Sequence, residues 1–181
     1  MKYVISTPSS TLAVPVEDVK THLRIDSYSD HDNLIRSYIK ASSKTIEQRA
    51  NLMLTAQTWV LYLDSTEVEE NIYFYKWPVT SISSIKYYDS DNAQQTMAAS
   101  NYTSIITLRP SQIIIDDVPA VYERSDAMEI TFVGGYTTLP EDITLAIMQR
   151  CDKYYNNPSA NIEERTTMFE KVITDYRVYE K

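Results

Sequence analysis

The chain has 181 residues, 43% of them hydrophobic, so it can bury a core and is expected to form a single domain. Its formal net charge of −8 and its pI of about 4.8 argue against a protein that grips nucleic acid, because phosphate binding needs clustered Lys and Arg. Both glycines are adjacent, Gly134 and Gly135, which excludes a Gly-rich phosphate loop, a dinucleotide fingerprint and a nucleophile elbow.

The cysteine count and the apolar runs indicate where the chain is made. Cys151 is the one cysteine, so a disulfide framework is excluded and a reducing compartment is expected. Residues 1–8 lack the apolar stretch of a signal peptide. No run approaches the ~18 apolar residues of a membrane span. We therefore expect synthesis in the cytoplasm and no membrane partner.

The N-terminal part of the chain predicts an arm and two helices. Residues 1–14 are expected to form an extended arm. Pro15 and the acids behind it predict a short helix over residues 15–24. A long helix is predicted over Asp30–Met53, about 30 Å in length, with Asp30 as its N-cap. Its inward stripe is Leu34, Ile35, Tyr38, Ile39, Ile46, Leu52 and Met53.

Residues 55–136 are predicted to form a β lobe, because alternating apolar runs are separated by turn residues. The segment 89–92 is a predicted hairpin turn, and the acidic loop 67–70 is expected to be exposed. The predicted strands are residues 58–63, 72–75, 77–88, 93–97, 102–108, 113–115 and 128–133.

Two helices are predicted after the glycine pair, in residues 137–181. The first begins at Pro140 and ends at Asn156, and its inward stripe is Ile143, Ala146, Ile147, Cys151 and Tyr154. The last covers residues 162–179, with Phe169, Val172, Ile173 and Tyr176 inward. The predicted fold class is α+β, mainly helical, with the N- and C-terminal helices packed together around an inserted antiparallel β lobe.

Several residue groups are candidates for chemical sites. Two histidines and three carboxylates lie close in sequence and suggest a metal site, but helix and turn roles explain them better: His22, Asp26, Asp30, His31 and Asp32. Cys151 is interpreted as a buried structural thiol rather than a nucleophile. The acidic pairs 89/91, in a hairpin turn, and 116/117, at a strand end, are interpreted as solvated loops rather than acid–base or Mg²⁺ groups. No catalytic constellation or cofactor is expected.

The 15 tyrosines favour a protein with contact surfaces, since tyrosine adds buried area at low entropy cost. Core packing is expected to use about half of them. The rest are candidates for protein contacts, drawn from Tyr73, Tyr75, Tyr87, Tyr88, Tyr154, Tyr155, Tyr176 and Tyr179, together with Trp77.

Five stretches resemble the head–tail connector proteins of tailed phages, the adaptors that form a ring beneath the portal. The first is Val16–Asp26 followed by Asp30, Asp32, Leu34 and Ile35, and the second is Thr55–Trp59. The third is Trp77–Ile82 followed by Ile85, Tyr87 and Asp89. The fourth is Val133–Tyr136 followed by Leu139–Ile143, and the fifth is Thr174–Tyr179. Residues 1–13 and 94–115 have no counterpart in the resemblance.

The resemblance implies a structural virion protein rather than an enzyme. About a dozen copies would form a ring in the phage neck, between the portal protein and a stopper or tail protein, and DNA would pass through the channel without specific binding. The implied subunit interface is Arg36, Lys40, Lys44 and Glu47. The implied channel-facing residues are Glu67, Glu69 and Glu70, and the implied portal-binding residues are Tyr176, Arg177 and Tyr179.

Two alternatives remain open at this point. The first is a stopper or tail-completion protein, which also forms a ring but at another level of the neck. The second belongs to another class, a metal-dependent enzyme built on the Asp26–Asp32 region.

Overall fold

The computed structural model describes residues 1–25, 29–157 and 167–179. The chain folds into two compact units, each assembled from separate parts of the sequence. The β unit consists of Met1–Ser9, Ala56–Gly135 and Val178–Lys181. The helical unit consists of Ser10–Thr55 and Tyr136–Arg177.

Four helices form the helical unit: α1 (Val16–Leu23), α2 (Asp32–Ala50), α3 (Glu141–Asn156) and α4 (Thr167–Tyr176). The long helix is shorter than predicted, about 28 Å. His31, not Asp30, is the residue before its first turn. It ends at Asn51, whose left-handed backbone (φ 57°) lets its N–H bond back to Glu47. Leu52 and Met53 are therefore buried outside the helix.

The core of the helical unit comes from one stripe on each helix. α2 buries Ile35, Ile39, Ser42, Ile46 and Ala50, at the spacing of an amphipathic helix. Leu34 was predicted on that stripe but is 44% exposed, because its position next to Ile35 turns it about 100° away. α2 packs on α1, α3 and α4, so the predicted packing of the terminal helices is confirmed.

Eight strands form the β unit: β1 (Lys2–Thr7), β2 (Gln57–Leu63), β3 (Asn71–Phe74), β4 (Val79–Tyr88), β5 (Gln94–Thr96), β6 (Tyr102–Ile105), β7 (Ser111–Ile115) and β8 (Met128–Gly134). They make two antiparallel sheets, with strand orders β1-β2-β8-β4-β5 and β3-β7-β6. Residues 2–7 of the predicted arm thus form the edge strand β1.

The core of the β unit centres on β8, which alternates buried and half-buried residues along its length. Phe132 is fully buried and meets Phe74 edge-on, with ring centroids 4.9 Å apart. Tyr3 of β1 also meets Phe132 edge-on. At the end of β8, Gly135 has φ 129°, a region that favours glycine, and its N–H bonds to the Pro78 carbonyl.

The fold class needs one correction. The α+β class with antiparallel sheets is confirmed, but "mainly helical" is not, since helix and strand contents are roughly equal. The last helix ends at Tyr176, and its predicted start at 162–166 lies outside the described residues. Strand β6 ends at Ile105 instead of Leu108. No described helix is both long and apolar enough to cross a membrane.

Candidate interaction surfaces

Arg36, Lys40 and Lys44 form a basic stripe on α2, and all three are exposed. They follow one another at intervals of four residues, so the stripe runs about 12 Å along one helix face. Within the part of the chain that the structure describes, none of the three takes part in an ion pair. The stripe is therefore an unpartnered cationic helix face.

Glu47 was predicted to join this surface, but its carboxylate has a local role. It is half-buried, and its Oε1 accepts a hydrogen bond from the Leu54 N–H at 3.0 Å. This bond ties the C-terminal end of α2 to the chain that leaves it. Glu47 thus has a structural role in the chain itself, and its place in a subunit interface stays a prediction.

The acidic loop contains two kinds of carboxylate. Asp64 and Glu67 form a capping box around the short 3₁₀ helix Ser65–Glu67. A hydrogen bond from the Thr66 N–H lowers the pKa of Asp64. Burial opposes ionisation of Glu67, but hydrogen bonds from the Met1 amino group and the Asp64 N–H outweigh it and lower the pKa. Glu67 is therefore a structural carboxylate.

Glu69 and Glu70, in contrast, are exposed and lie beside a second acidic pair. Strands β3 and β7 pair with Asn71 opposite Ile114, and the Ile115 N–H donates to the Glu70 carbonyl at 2.8 Å. The same antiparallel register brings Asp116 and Asp117 to the end of the sheet where Glu69 and Glu70 lie. We call these four exposed residues the acidic patch.

None of the four carboxylates in the acidic patch takes part in an ion pair with another described residue. The sequence predicts Asp116 and Asp117 at a strand end, in a solvated loop, without naming a neighbour. The pairing of strands separated by about 40 residues brings them to Glu69 and Glu70, and no local pattern reports that register.

The predicted portal-binding residues differ in their surroundings. The Tyr176 hydroxyl donates to Asp142 Oδ1 at 3.0 Å, which ties the end of α4 to the start of α3. Arg177 is exposed, and Tyr179 is 63% exposed. Val178 between them is buried, so it fixes this part of the chain in place. Arg177 and Tyr179 are thus the most exposed of the three predicted residues.

The residues of the predicted metal alternative bind other protein groups. The His31 Nδ1 lies 2.5 Å from the Tyr155 hydroxyl, and Asp32 pairs with Lys20 at 3.2 Å. His22 is exposed on α1, and Asp26 lies outside the described residues. In the described ranges, no group of three or more His, Cys, Asp and Glu side chains is placed to hold a metal ion.

The burial of Lys20 and its ion pairs were not predicted from the sequence. Its side chain is only 6% exposed, and it joins α1 to α2 through Asp32 while also pairing with Glu17 at 3.6 Å. The Asp32 carboxylate, which accepts from the Lys20 ammonium group, raises the pKa of Lys20, although burial opposes this. A lysine among the apolar residues of a short helix gives no sign of burial before its partner on α2 is known.

Cys151 and Asp89 have the structural roles predicted for them. Cys151 is fully buried, and burial raises the pKa of its thiol to about 11, so the reactive thiolate is disfavoured. Asp89 lies in the predicted hairpin turn. Its carboxylate accepts from Gln95 Nε2 at 2.7 Å and from the N–H groups of Ala93 and Asp91, and these bonds lower its pKa.

The strand aromatics that were candidates for outward contacts are half-buried: Tyr73, Tyr75, Trp77, Tyr87 and Tyr88. Arg124 stacks on the Tyr88 ring at 3.6 Å and forms a two-pronged pair with Asp126. On the helices, Tyr38 stacks on Tyr154. The exposed tyrosines include Tyr122, at 44%, which was not singled out.

Comparison with known proteins places the chain in a family. No curated protein sequence matches it. Solved chains of similar fold come from the neck of the empty gene transfer agent (GTA) particle computed with C6 symmetry (TM-score 0.83), the virion of the native particle (0.81) and the native neck computed with C12 symmetry (0.78). Each is 19% identical and aligns over 100% of this chain and 97% of its own.

These likenesses show a shared fold, and a family profile adds the sequence. The profile of the head completion proteins matches residues 13–173, which is most of the chain. The resemblance to head–tail connector proteins is thereby confirmed. By its sequence this chain belongs to the head completion protein family.

Proposed function

We propose that this chain is a structural protein of a phage-like neck, where about a dozen copies form a ring between the portal and a stopper or tail protein. The observation that carries the proposal is the family match over residues 13–173. The fold supports it, because the similar chains belong to GTA particles and two were computed with C6 or C12 symmetry in the neck. A ring of identical copies needs two different complementary surfaces on each copy.

The proposed ring surrounds a channel through which DNA passes without specific binding. The net charge of −8 supports this, because an acidic wall repels phosphates. Glu67 has its carboxylate in the capping box, so the channel-facing prediction now concerns Glu69 and Glu70. Exposed carboxylates suit either a channel wall or a contact with a neighbouring copy, and charge reversal distinguishes these roles.

The end of the chain is proposed to contact the portal. Arg177 and Tyr179 are exposed on either side of buried Val178, which makes them suitable anchors. Tyr176 supports this end by its bond to Asp142.

The experiment that tests the function measures assembly and portal binding together. The native mass of the purified chain is determined over a wide concentration range, alone and with the portal protein of the same particle, and the samples are imaged. We expect rings with a central hole, at least on the portal. Tyr179→Ala should weaken portal binding about tenfold or more, as loss of an aromatic anchor does. Tyr122→Ala removes another exposed tyrosine and should leave binding unchanged.

Two outcomes count against the proposal. Absence of rings both alone and with the portal would overturn the ring. Binding only to a portal that already carries another neck protein would move the chain to the stopper level, the alternative that keeps the same fold and a different partner.

A further inference from the structure

The basic stripe of α2 is a surface that the helical unit does not use. Arg36, Lys40 and Lys44 are stacked on one face at four-residue spacing, where like charges repel one another. The ion pairs formed by the described residues do not include them. A helix face of this kind is stabilised when it meets an anionic surface.

The β unit has a surface of the opposite sign. In the acidic patch, Glu69 and Glu70 lie next to Asp116 and Asp117 through the pairing of β3 with β7. Like charges gathered at one end of a strand pair also repel. The four residues lie just outside β3 and β7, within two residues of the hydrogen bond from the Ile115 N–H to the Glu70 carbonyl, so they share one end of this strand pair.

We propose that, in the ring, the basic stripe of one copy contacts the acidic patch of the next copy. The inference rests on the proposed ring and identifies its two complementary surfaces. Every copy has one stripe and one patch, so the contact repeats around a closed ring and leaves neither unpaired. A second copy fits the stripe better than nucleic acid does, because the net charge of −8 opposes the approach of phosphates.

The test uses two charge-reversed forms of the full chain. The stripe variant has Arg36→Glu, Lys40→Glu and Lys44→Glu, and the patch variant has Glu69→Lys, Glu70→Lys, Asp116→Lys and Asp117→Lys. Each alone places like charges across the contact and should need more than about ten times the wild-type concentration to assemble. Mixed in equal amounts, the two variants are complementary at both contacts and should assemble into alternating rings at close to the wild-type concentration.

Matched controls separate this contact from a general effect of charge. Lys171→Glu on α4 and Asp91→Lys in the hairpin turn reverse exposed charges elsewhere and should leave assembly unchanged. Far-ultraviolet circular dichroism checks that each variant is folded. If a reversed form does not fold, the neutral forms with Gln or Asn at the same positions replace it, with a smaller expected loss of assembly and a weaker dependence of assembly on salt than the wild type shows.

Each result has a defined meaning. Assembly of both variants at the wild-type concentration would overturn the contact. Loss of assembly without recovery in the mixture would also overturn it, since the two surfaces would not meet. A patch variant that assembles normally but alters DNA retention in particles would assign Glu69 and Glu70 to the channel instead. Failure of the wild-type chain to assemble, alone and on the portal, would refute the proposed ring itself.

Discussion

In the helical unit, buried side chains recur along one stripe of each helix, whereas in the β unit they come from strands far apart in the sequence. α2 places Ile35, Ile39 and Ile46 on one face by its own periodicity. β8 instead becomes central because it pairs with β2 and β4, which lie 40 or more residues earlier. The stability of the β unit therefore depends on one central strand, while that of the helical unit is divided among several helix contacts.

The two units also differ in the charges they leave exposed. The basic stripe belongs to the helical unit and the acidic patch to the β unit, and neither takes part in an ion pair among the described residues. Within each unit other charges are paired, such as Arg49 with Glu170 and Arg124 with Asp126. The stripe and the patch therefore give the two units charged surfaces of opposite sign.

The largest expected effect comes from the central strand. Phe132→Ala removes a fully buried ring that contacts Phe74 and Tyr3, and should lower the free energy of unfolding by about 3–5 kcal/mol, measured by urea denaturation. Leu108→Ala, at a residue that is 50% exposed in the same unit, should change it by less than about 0.5 kcal/mol. Amide exchange should accelerate in the strands. Equal acceleration in α2 and α3 would contradict the division into two units.

The next effect is a pH dependence of the helical unit. Burial raises the pKa of the Cys151 thiol from 9.0 to about 11. Between these values the unfolded thiol loses its proton while the folded thiol keeps it, so stability falls as pH rises. The contribution is complete below pH 9 and is lost by about pH 11, a total of about 2 kcal/mol.

Cys151→Ala provides the control, because other groups also titrate in alkaline solution. The free energy of unfolding is measured for both proteins from pH 8 to pH 11. The free energy of unfolding of the wild type should fall by about 2 kcal/mol relative to that of the variant between pH 8 and pH 11. Parallel curves would show that the buried thiol does not carry the effect.

The smallest effect concerns the ion pair that joins α2 to α4. Both guanidinium nitrogens Nη1 and Nη2 of Arg49 lie 2.6 Å from the Glu170 carboxylate, but Arg49 is 48% exposed. A double-mutant cycle with Arg49→Met and Glu170→Gln should give a coupling energy of only about 0.5–1 kcal/mol. Lys171→Met, next to Glu170 on α4, should show no coupling energy with Arg49→Met. A coupling above about 2 kcal/mol would mean that charge pairs, rather than apolar stripes, hold this unit together.

The helical unit was the more predictable of the two. Ile143, Ile147 and Cys151 were assigned to the core from their spacing alone, and all are buried. The ends of α2 were less predictable, since Asn51 ends the helix by adopting a left-handed backbone rather than at a proline or glycine. The site residues followed the same rule. Arg36, Lys40 and Lys44 were expected to be exposed and are, whereas the bond from the Leu54 N–H to Glu47 depends on the fold. The place of all four residues in a subunit interface stays a prediction.

The sequence by itself determined the type of most elements, the α+β class, the buried thiol and the hairpin at Asp89, because these follow from local periodicity and turn chemistry. Tertiary structure decided the two-sheet arrangement, the burial of Lys20 and the meeting of Glu69 and Glu70 with Asp116 and Asp117. These depend on which strand or helix becomes a neighbour. That choice is set by the burial of whole faces against one another, an interaction that no short stretch of sequence contains.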